Sequence, residues 1–277
     1  MKTTLTAPVR DLNYPEIARD ISRWLWSYNK WLVVWVSGGI DSAVVSTLSA
    51  MSGQALTTLE MPIHQKTDEV NRAKAHIDYL QQKYSQVTRQ IIDLTQVYDT
   101  MKTLQHSWDT PESEYLSDVN LRSRLRAAQL YTTANRKNAL VVGTGNKVED
   151  YGIGFFTKFG DGAVDISPIW DLTKSEVYKL GQELGIHEDI LSARPTDWLH
   201  PNGATDEDQI GATYNELEWA MWQYDIWKRV MDFNWRAAEV MKIYSERHTQ
   251  NAHKMQMPPV YQVLDPSKWP EYYGVHQ

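Results

Sequence analysis

The chain of 277 residues contains no cysteine. This absence excludes disulfide bonds, thiolate metal sites and any mechanism that needs a cysteine nucleophile. The opening residues, MKTTLTAPVR, also lack the apolar core of a signal peptide. The longest dense apolar run, Trp31 to Val36, is far too short to span a bilayer. We therefore expect a cytoplasmic protein without a membrane partner.

Positive charge is scarce as well. Lysine and arginine total 28 against 35 acidic residues, which gives a formal net charge of −7. A duplex-binding protein needs a concentrated positive field to displace counterions, so nucleic acid is an unexpected partner. Hydrophobic residues make up 42% and charged residues 23%, the balance of an ordinary globular protein. We expect one domain over residues 1–277, with a tail from about residue 258.

Apolar β-prone runs alternate with helical periodicity along the first half of the chain. The run WLVVWV predicts a strand that is buried on both faces, as in a parallel sheet. Strands are predicted at about 31–36, 55–61, 88–93 and 139–142. Helices are predicted at about 13–29, 41–51, 67–84, 94–104, 117–137, 174–185, 214–222 and 225–247. This order predicts an α/β fold with a doubly wound parallel sheet flanked by helices and a helical C-terminal part.

The first strand runs directly into a glycine-rich turn and then a helix. Two consecutive glycines allow a close approach of the backbone to a ligand, and consecutive amides at a helix start form an anion site. The Walker lysine is absent, so the turn suits departing pyrophosphate and attack at the α phosphorus of ATP. An acidic side chain in this turn predicts a Mg²⁺ ligand. The predicted ATP-binding residues here are Val36, Ser37, Gly38, Gly39, Ile40, Asp41 and Ser42.

Several features also have plainer interpretations. The turn by itself is compatible with an ordinary glycine-rich connection between a strand and a helix. Gly143 and Gly145 follow a predicted strand, but Val148 holds the place of the third glycine of a dinucleotide-binding fingerprint. Arg124 falls on the flank of an apolar helix stripe, where an arginine can simply reach out to solvent. On the same pattern, Arg122 and Arg126 are predicted to lie on a solvated face.

A series of motifs in the middle of the chain resembles the NAD synthetases of the ATP pyrophosphatase superfamily. After the SGGIDS turn come VGTGNKVE from Val142, GFFTKFGDG from Gly154, DISP from Asp165 and LTK from Leu172. Thr205-Asp206-Glu207 and His253-Lys254 continue the series, and the resemblance covers roughly residues 14–260. It implies an adenine nucleotide alpha hydrolase-like fold. It also implies ATP-dependent amidation of deamido-NAD to NAD through an acyl adenylate, with release of AMP and pyrophosphate.

The resemblance also implies roles for individual residues. Asp41 and Glu149 would be Mg²⁺ ligands, and Asp41, Asp165 and Lys174 the catalytic residues. Asp165 is our hypothesis for the base that removes a proton from ammonium. Beyond the turn, the expected ATP contacts are Thr144, Lys174 and Thr196. The expected deamido-NAD contacts are Arg124, Lys158, Asp165, His253 and Lys254. Relatives form homodimers that bind the dinucleotide across the interface, so a homodimer is expected here.

Two points bear on the chemistry. Glutamine-dependent relatives carry an amidase domain with a cysteine nucleophile. This cysteine-free chain is therefore expected to use free ammonia, the alternative being ammonia delivered by a separate partner. Met255 follows His253-Lys254 where relatives commonly have arginine, so one expected positive charge is missing. Two alternatives are weighed: another enzyme of the superfamily with a different acceptor, and a binding module without catalysis. The presence of both Asp41 and Glu149 disfavours the second.

Overall fold

A computed structural model describes residues 5–104, 110–194 and 205–261. Its strands are β1 (Trp31–Trp35), β2 (Leu56–Glu60), β3 (Val87–Ile91) and β4 (Ala139–Val141). Its α-helices are α1 (Tyr14–Ser27), α2 (Ile40–Met51), α3 (Thr67–Lys83), α4 (Thr95–Thr103), α5 (Pro111–Lys137), α6 (Lys174–Glu183), α7 (Glu188–Leu191), α8 (Asp206–Ile210), α9 (Tyr214–Asp225) and α10 (Trp235–Asn251). A π-helix occupies Lys147–Ile153. None of the described helices is both long and apolar enough to cross a membrane.

The four strands form one parallel sheet in the order β3-β2-β1-β4. The chain moves outward from β1 to β3 and then returns to the other side of β1 with β4. The strand order therefore reverses between β1 and β4, and such a switch point opens a crevice at the carboxyl ends of the strands. The glycine-rich turn Ser37–Ser42 leaves β1 at this crevice. The predicted doubly wound α/β fold is confirmed.

Alternate side chains of β1 enter two different cores. Leu32 and Val34 pack with α1, α2, α3 and α6 on one face of the sheet. Val33 packs on the other face with residues of α4 and α5 such as Tyr98 and Leu130. All three β1 residues are fully buried. A strand that is covered on both faces must be apolar throughout, which explains the WLVVW sequence.

The helical C-terminal part has its own core. Leu217 from α9 and Val240, Met241 and Tyr244 from α10 pack there against the π-helix. The predicted helix at 225–247 is wrong at its start, because α9 ends at Asp225 and α10 begins only at Trp235. Between them Trp227 has a φ of 66°, a left-handed conformation that interrupts a right-handed helix.

Candidate active site

The glycine-rich turn is held in shape by its own serines and by α3. Ser42 Oγ accepts a hydrogen bond from Ser37 N at 3.2 Å and donates one to Gly39 O at 3.0 Å. Gly38 has a φ of 90°, and a Cβ there would lie 2.7 Å from the Glu69 carbonyl oxygen. Glycine is therefore required at this position on two grounds. The turn leads into the N-terminus of α2, where free amides and the helix dipole favour an anion.

One lysine joins two carboxylates beside the turn. Lys174 Nζ donates to Asp41 Oδ2 at 2.6 Å and to Glu149 Oε1 at 2.8 Å. Asp41 lies in the first turn of α2, Glu149 in the π-helix, and Lys174 begins α6. Burial acts to lower the pKa of Lys174, but the two carboxylates outweigh it and raise that pKa. The lysine is therefore charged, and it offsets the repulsion between the acids.

Asn146 orients both acids, although sequence reasoning did not select it. Its side chain is fully buried, and its Nδ2 donates to Asp41 Oδ1 at 3.1 Å. Its Oδ1 accepts from the amides of Val148 and Glu149 and so caps the π-helix. Asparagine at such a capping position is a sequence signal that could have identified it.

Tyr214 adds a second donor to Glu149. Its hydroxyl donates to Glu149 Oε1 at 2.5 Å and lies 3.3 Å from Asp206 Oδ2. Burial first, and then the charges of Glu149 and Asp206, raise the pKa of the Tyr214 hydroxyl well above its ordinary value. The hydroxyl therefore remains protonated and able to donate.

Most of the predicted site residues line one cavity of about 660 Å³ at the switch point. The cavity is lined by Ser37, Gly38, Gly39, Ile40, Asp41, Arg124, Glu149, Lys158, Lys174, His253 and Lys254, among others. Ser42 and Thr144 line an adjoining cavity of about 110 Å³, together with Asp41 and Glu149. The structure thus gathers residues that lie more than 200 positions apart in the sequence, from Ser37 to Lys254.

Two predicted residues do not line either cavity, and a third is not among the described residues. Val36 is 2% exposed and belongs to the hydrophobic core, so its side chain does not line the cavity. Asp165 does not line it either: its carboxylate accepts from Val141 N at 2.8 Å and from the Tyr131 hydroxyl at 3.2 Å. Thr196 lies outside the described residues.

The prediction for the arginines of α5 is wrong for Arg126. Arg126 is 5% exposed, donates through Nε to Met61 O at 3.0 Å and lies over the Trp35 ring. The apolar pattern of α5 indicates only one buried side. The Trp35 ring and the segment after β2 cover a second side of the helix. Arg124, by contrast, is exposed at the cavity edge, where Nε donates to Lys158 O at 3.4 Å.

The cavity carries positive charge although the whole chain is acidic. Its basic residues outnumber its acidic ones, Asp41, Glu69, Glu149, Asp161 and Asp206. The basic residues are Arg72, Arg122, Arg124, Arg126, Lys158, Lys174, Arg194, Arg247 and Lys254. Burial also raises the pKa of Glu69 to about 7, which weakens the negative charge of this acid near neutral pH. Such a cavity suits a polyanionic ligand.

The fold and the site define a class: an α/β protein with a glycine-rich turn at the switch point and an acidic pair beside it. The family model described as NAD synthase matches residues 26–258. The NH(3)-dependent NAD(+) synthetase of Mycoplasma pneumoniae is 39% identical, over 75% of this chain and 81% of the relative. The corresponding synthetase of Alkaliphilus metalliredigens is 40% identical, over 68% and 76%. The chain belongs to the NAD synthase family.

Solved structures of two synthetases have a similar fold. The NMN synthetase of Francisella tularensis aligns with a TM-score of 0.77 and 29% identity, over 91% of this chain and 99% of that one. The NH3-dependent NAD synthetase of Campylobacter jejuni has the same fold, with a TM-score of 0.72 over 91% and 100% of the two chains.

Proposed function

We propose that this chain converts deamido-NAD to NAD, using ATP and ammonia and releasing AMP and pyrophosphate. The observation that carries the proposal is the match to the NAD synthase family along residues 26–258. Asp41, Glu149 and Lys174 beside the glycine-rich turn also support the proposal, since two acids and a lysine suit a reaction whose substrates carry several phosphate groups. The basic cavity lining supports it too, because a dinucleotide and ATP are both polyanions.

In the first step a carboxylate oxygen of the nicotinate attacks the α phosphorus of ATP. The bond to the bridging oxygen of the β phosphate breaks, and pyrophosphate leaves with that electron pair. We assign the departing pyrophosphate to the amides of the turn Ser37–Ser42 and the amino group of Lys174. Charge on the leaving group is stabilised there by donors that are already in place.

Asp41 and Glu149 would hold Mg²⁺. Oxygens of both carboxylates lie within 2.8 Å of one cationic atom, Lys174 Nζ, so they already converge on a positive charge. Two carboxylates are also the hard oxygen ligands that Mg²⁺ prefers. When bound, Mg²⁺ would neutralise phosphate charge in the adenylation step.

In the second step ammonia attacks the acyl carbon, and AMP leaves with the bonding electrons. The proposed base for ammonium is Asp165, which is held between the Val141 amide and the Tyr131 hydroxyl. Asp165→Asn should lower turnover with ammonium, most steeply at low pH where free ammonia is scarce. Full turnover in that variant would remove the role.

The other predicted contacts to ATP and deamido-NAD are also proposed. Thr144 would contact ATP, as would Thr196, and Arg124, Lys158, Asp165, His253 and Lys254 would contact deamido-NAD. Lys158 Nζ donates to His253 O at 2.6 Å, and Lys254 Nζ donates to the carbonyl of Gly154 at 2.8 Å. These bonds tie the segment after α10 to the cavity rim, which supports a binding role for both lysines.

We also propose that the chain works as a single-domain homodimer in the cytoplasm. Three apolar side chains on or just after α4 are exposed at helical spacing: Val97 at 46%, Met101 at 39% and Leu104 at 69%. An apolar stripe of this kind supports a protein interface.

A second candidate function is amidation of nicotinic acid mononucleotide, and the similarity to the Francisella NMN synthetase favours it. The two functions differ only in the acceptor. The test is to incubate the protein with ATP, Mg²⁺, ammonium and either acceptor, and to measure kcat/KM for each. We expect NAD, AMP and pyrophosphate with deamido-NAD as the preferred acceptor. A preference for the mononucleotide would select the second function, and ADP as product would refute both.

A further inference from the structure

The hydroxyl of Tyr214 donates a hydrogen bond to Glu149, which the proposed reaction takes to be a Mg²⁺ ligand. Among the described residues, both hydrogen bonds to the Glu149 carboxylate fall on the same oxygen, Oε1, one from Tyr214 and one from Lys174. The carboxylate is therefore fixed through one oxygen. Its other oxygen, Oε2, has no hydrogen-bond partner in that part of the chain.

Tyr214 is itself rigidly placed. Its residue exposure is 6%, and the Lys174 ammonium lies 4.9 Å from the centre of its ring. Its backbone amide donates to Glu207 Oε1 at 2.9 Å, at the start of α9. The preceding Thr213 forms a reciprocal cap with Glu216, which fixes the first turn of the helix. The ring and hydroxyl therefore have little freedom to follow a moving carboxylate.

We propose that Tyr214 is a positioning residue for the divalent cation. Its hydroxyl holds Glu149 in the rotamer that presents Oε2 to the metal, against the repulsion of Asp41. This inference rests on the proposed function, because it takes Glu149 to be a metal ligand. Outer partners of this kind orient ligating carboxylates, and their loss typically weakens metal binding about 10- to 100-fold.

The competing explanation is that the hydroxyl merely satisfies a buried polar group and stabilises the fold. Tyr244 supplies a matched control for that explanation. It is fully buried in the core shared by α9 and α10, and its hydroxyl has no hydrogen-bond partner among the described residues. Tyr214→Phe and Tyr244→Phe therefore remove the same atom from the same core, and only the first removes a contact to Glu149.

The test is metal binding measured without turnover. Mn²⁺ serves as the probe for Mg²⁺ and is titrated in the presence of an ATP analogue with a methylene bridge between the α and β phosphates. Electron paramagnetic resonance of free Mn²⁺ gives the dissociation constant. We expect Tyr214→Phe to raise it about tenfold. Tyr244→Phe should match the wild type, and Glu149→Gln should abolish tight binding.

Kinetics provide a second measurement. In Tyr214→Phe the Mg²⁺ concentration for half-maximal activity should rise about tenfold, while KM for deamido-NAD stays unchanged. Wild-type Mn²⁺ affinity in this variant, or an equal loss in Tyr244→Phe, would overturn the inference alone. Wild-type Mn²⁺ affinity in Glu149→Gln would overturn the metal assignment in the proposed function and the inference with it.

Discussion

Lys174 brings an ammonium group into a place where the residue is only 4% exposed. Such burial is tolerated because Asp41 and Glu149 pair with the charge at 2.6 and 2.8 Å. The three groups depend on each other, since removal of the lysine would leave two half-buried carboxylates facing each other. The site is therefore held together by charge balance as much as by packing.

This balance predicts the behaviour of Lys174→Met. The variant should lose about 3 kcal/mol of unfolding free energy, because the two acids lose their common partner. Millimolar Mg²⁺ should restore part of that loss by binding to the acids and favouring the folded state. Thermal melts with and without Mg²⁺ measure the effect. A melting temperature that rises no more with Mg²⁺ than in the wild type would contradict the prediction.

Among the individual residues of the site, the sequence identified the charged ones but not the residues that hydrogen-bond to them. Asp41, Glu149 and Lys174 stand in motifs, so the resemblance was sufficient to select them. Asn146 and Tyr214 act only through Asp41 and Glu149, which lie 105 and 65 residues away from them. Asn146 at the cap of the π-helix is a local signal, but no local pattern records which acids these two residues contact, and those contacts become visible only once the chain is folded.

Among the elements, α2 and α3 meet through a buried histidine. His76 of α3 is 4% exposed and lies 2.9 Å from Ser46 Oγ of α2. Burial lowers the pKa of His76 to about 4. The folded protein therefore keeps this ring neutral, whereas the unfolded chain protonates it near pH 6.5.

The contribution of His76 to stability therefore depends on pH. Between pH 6.5 and 4 the unfolded state binds more protons at this residue, so its contribution to stability falls as the pH falls. The wild type should lose about 2 kcal/mol relative to His76→Gln between pH 8 and pH 5. Urea unfolding of both proteins at the two pH values measures the difference. A constant difference would show that His76 is not held neutral by the fold.

The helices and strands of the nucleotide-binding half were largely predictable, because the helices have one dominant period in their sequences and the central strand β1 is a continuous apolar run. The π-helix was not, since an extra residue per turn leaves no distinctive pattern in seven residues. The start of α10 at Trp235 was not predicted either. The aromatic residues around Trp227 have helical spacing, but the left-handed backbone there separates two helices.

In the molecule as a whole, three hydrophobic cores meet around the site. The C-terminal core is joined to the helices that cover the sheet through the site itself, by Lys174 of α6 on Glu149 of the π-helix and by Glu218 of α9, which accepts from Ser175 N at 2.8 Å. We therefore expect one cooperative unit. Calorimetry should give one transition, with a calorimetric enthalpy equal to the van't Hoff enthalpy. Two resolved transitions would instead assign the C-terminal helices to a domain of their own.

The proposed homodimer can be tested by a substitution in the apolar stripe of α4. Met101→Lys places a charge in the apolar stripe of α4 and should shift the proposed dimer to monomer by at least tenfold in dissociation constant. Sedimentation equilibrium measures the shift. Met231→Lys is the matched control, because Met231 is 89% exposed and lies far along the chain, between α9 and α10. A monomeric wild type, or an equal effect of both variants, would refute this interface.

Whole-molecule properties were partly accessible from composition. The net negative charge argues against a generally basic surface. It does not reveal the basic cavity, because net charge averages over the whole chain, whereas the fold gathers Arg72, Lys158 and Lys254 in one place. The family and its fold followed from motifs, and the comparisons confirmed them.

The contact between Gly38 and α3 links ligand binding to a distant part of the surface. The turn rests against the Glu69 carbonyl, and Arg72 Nε donates to Gly38 O at 3.3 Å, so the turn cannot shift without disturbing the helix. Filling the turn with phosphates should therefore slow amide hydrogen exchange along α3, even at Tyr79, which faces solvent on a later turn. Amide hydrogen exchange at this exposed residue would then report whether nucleotide is bound.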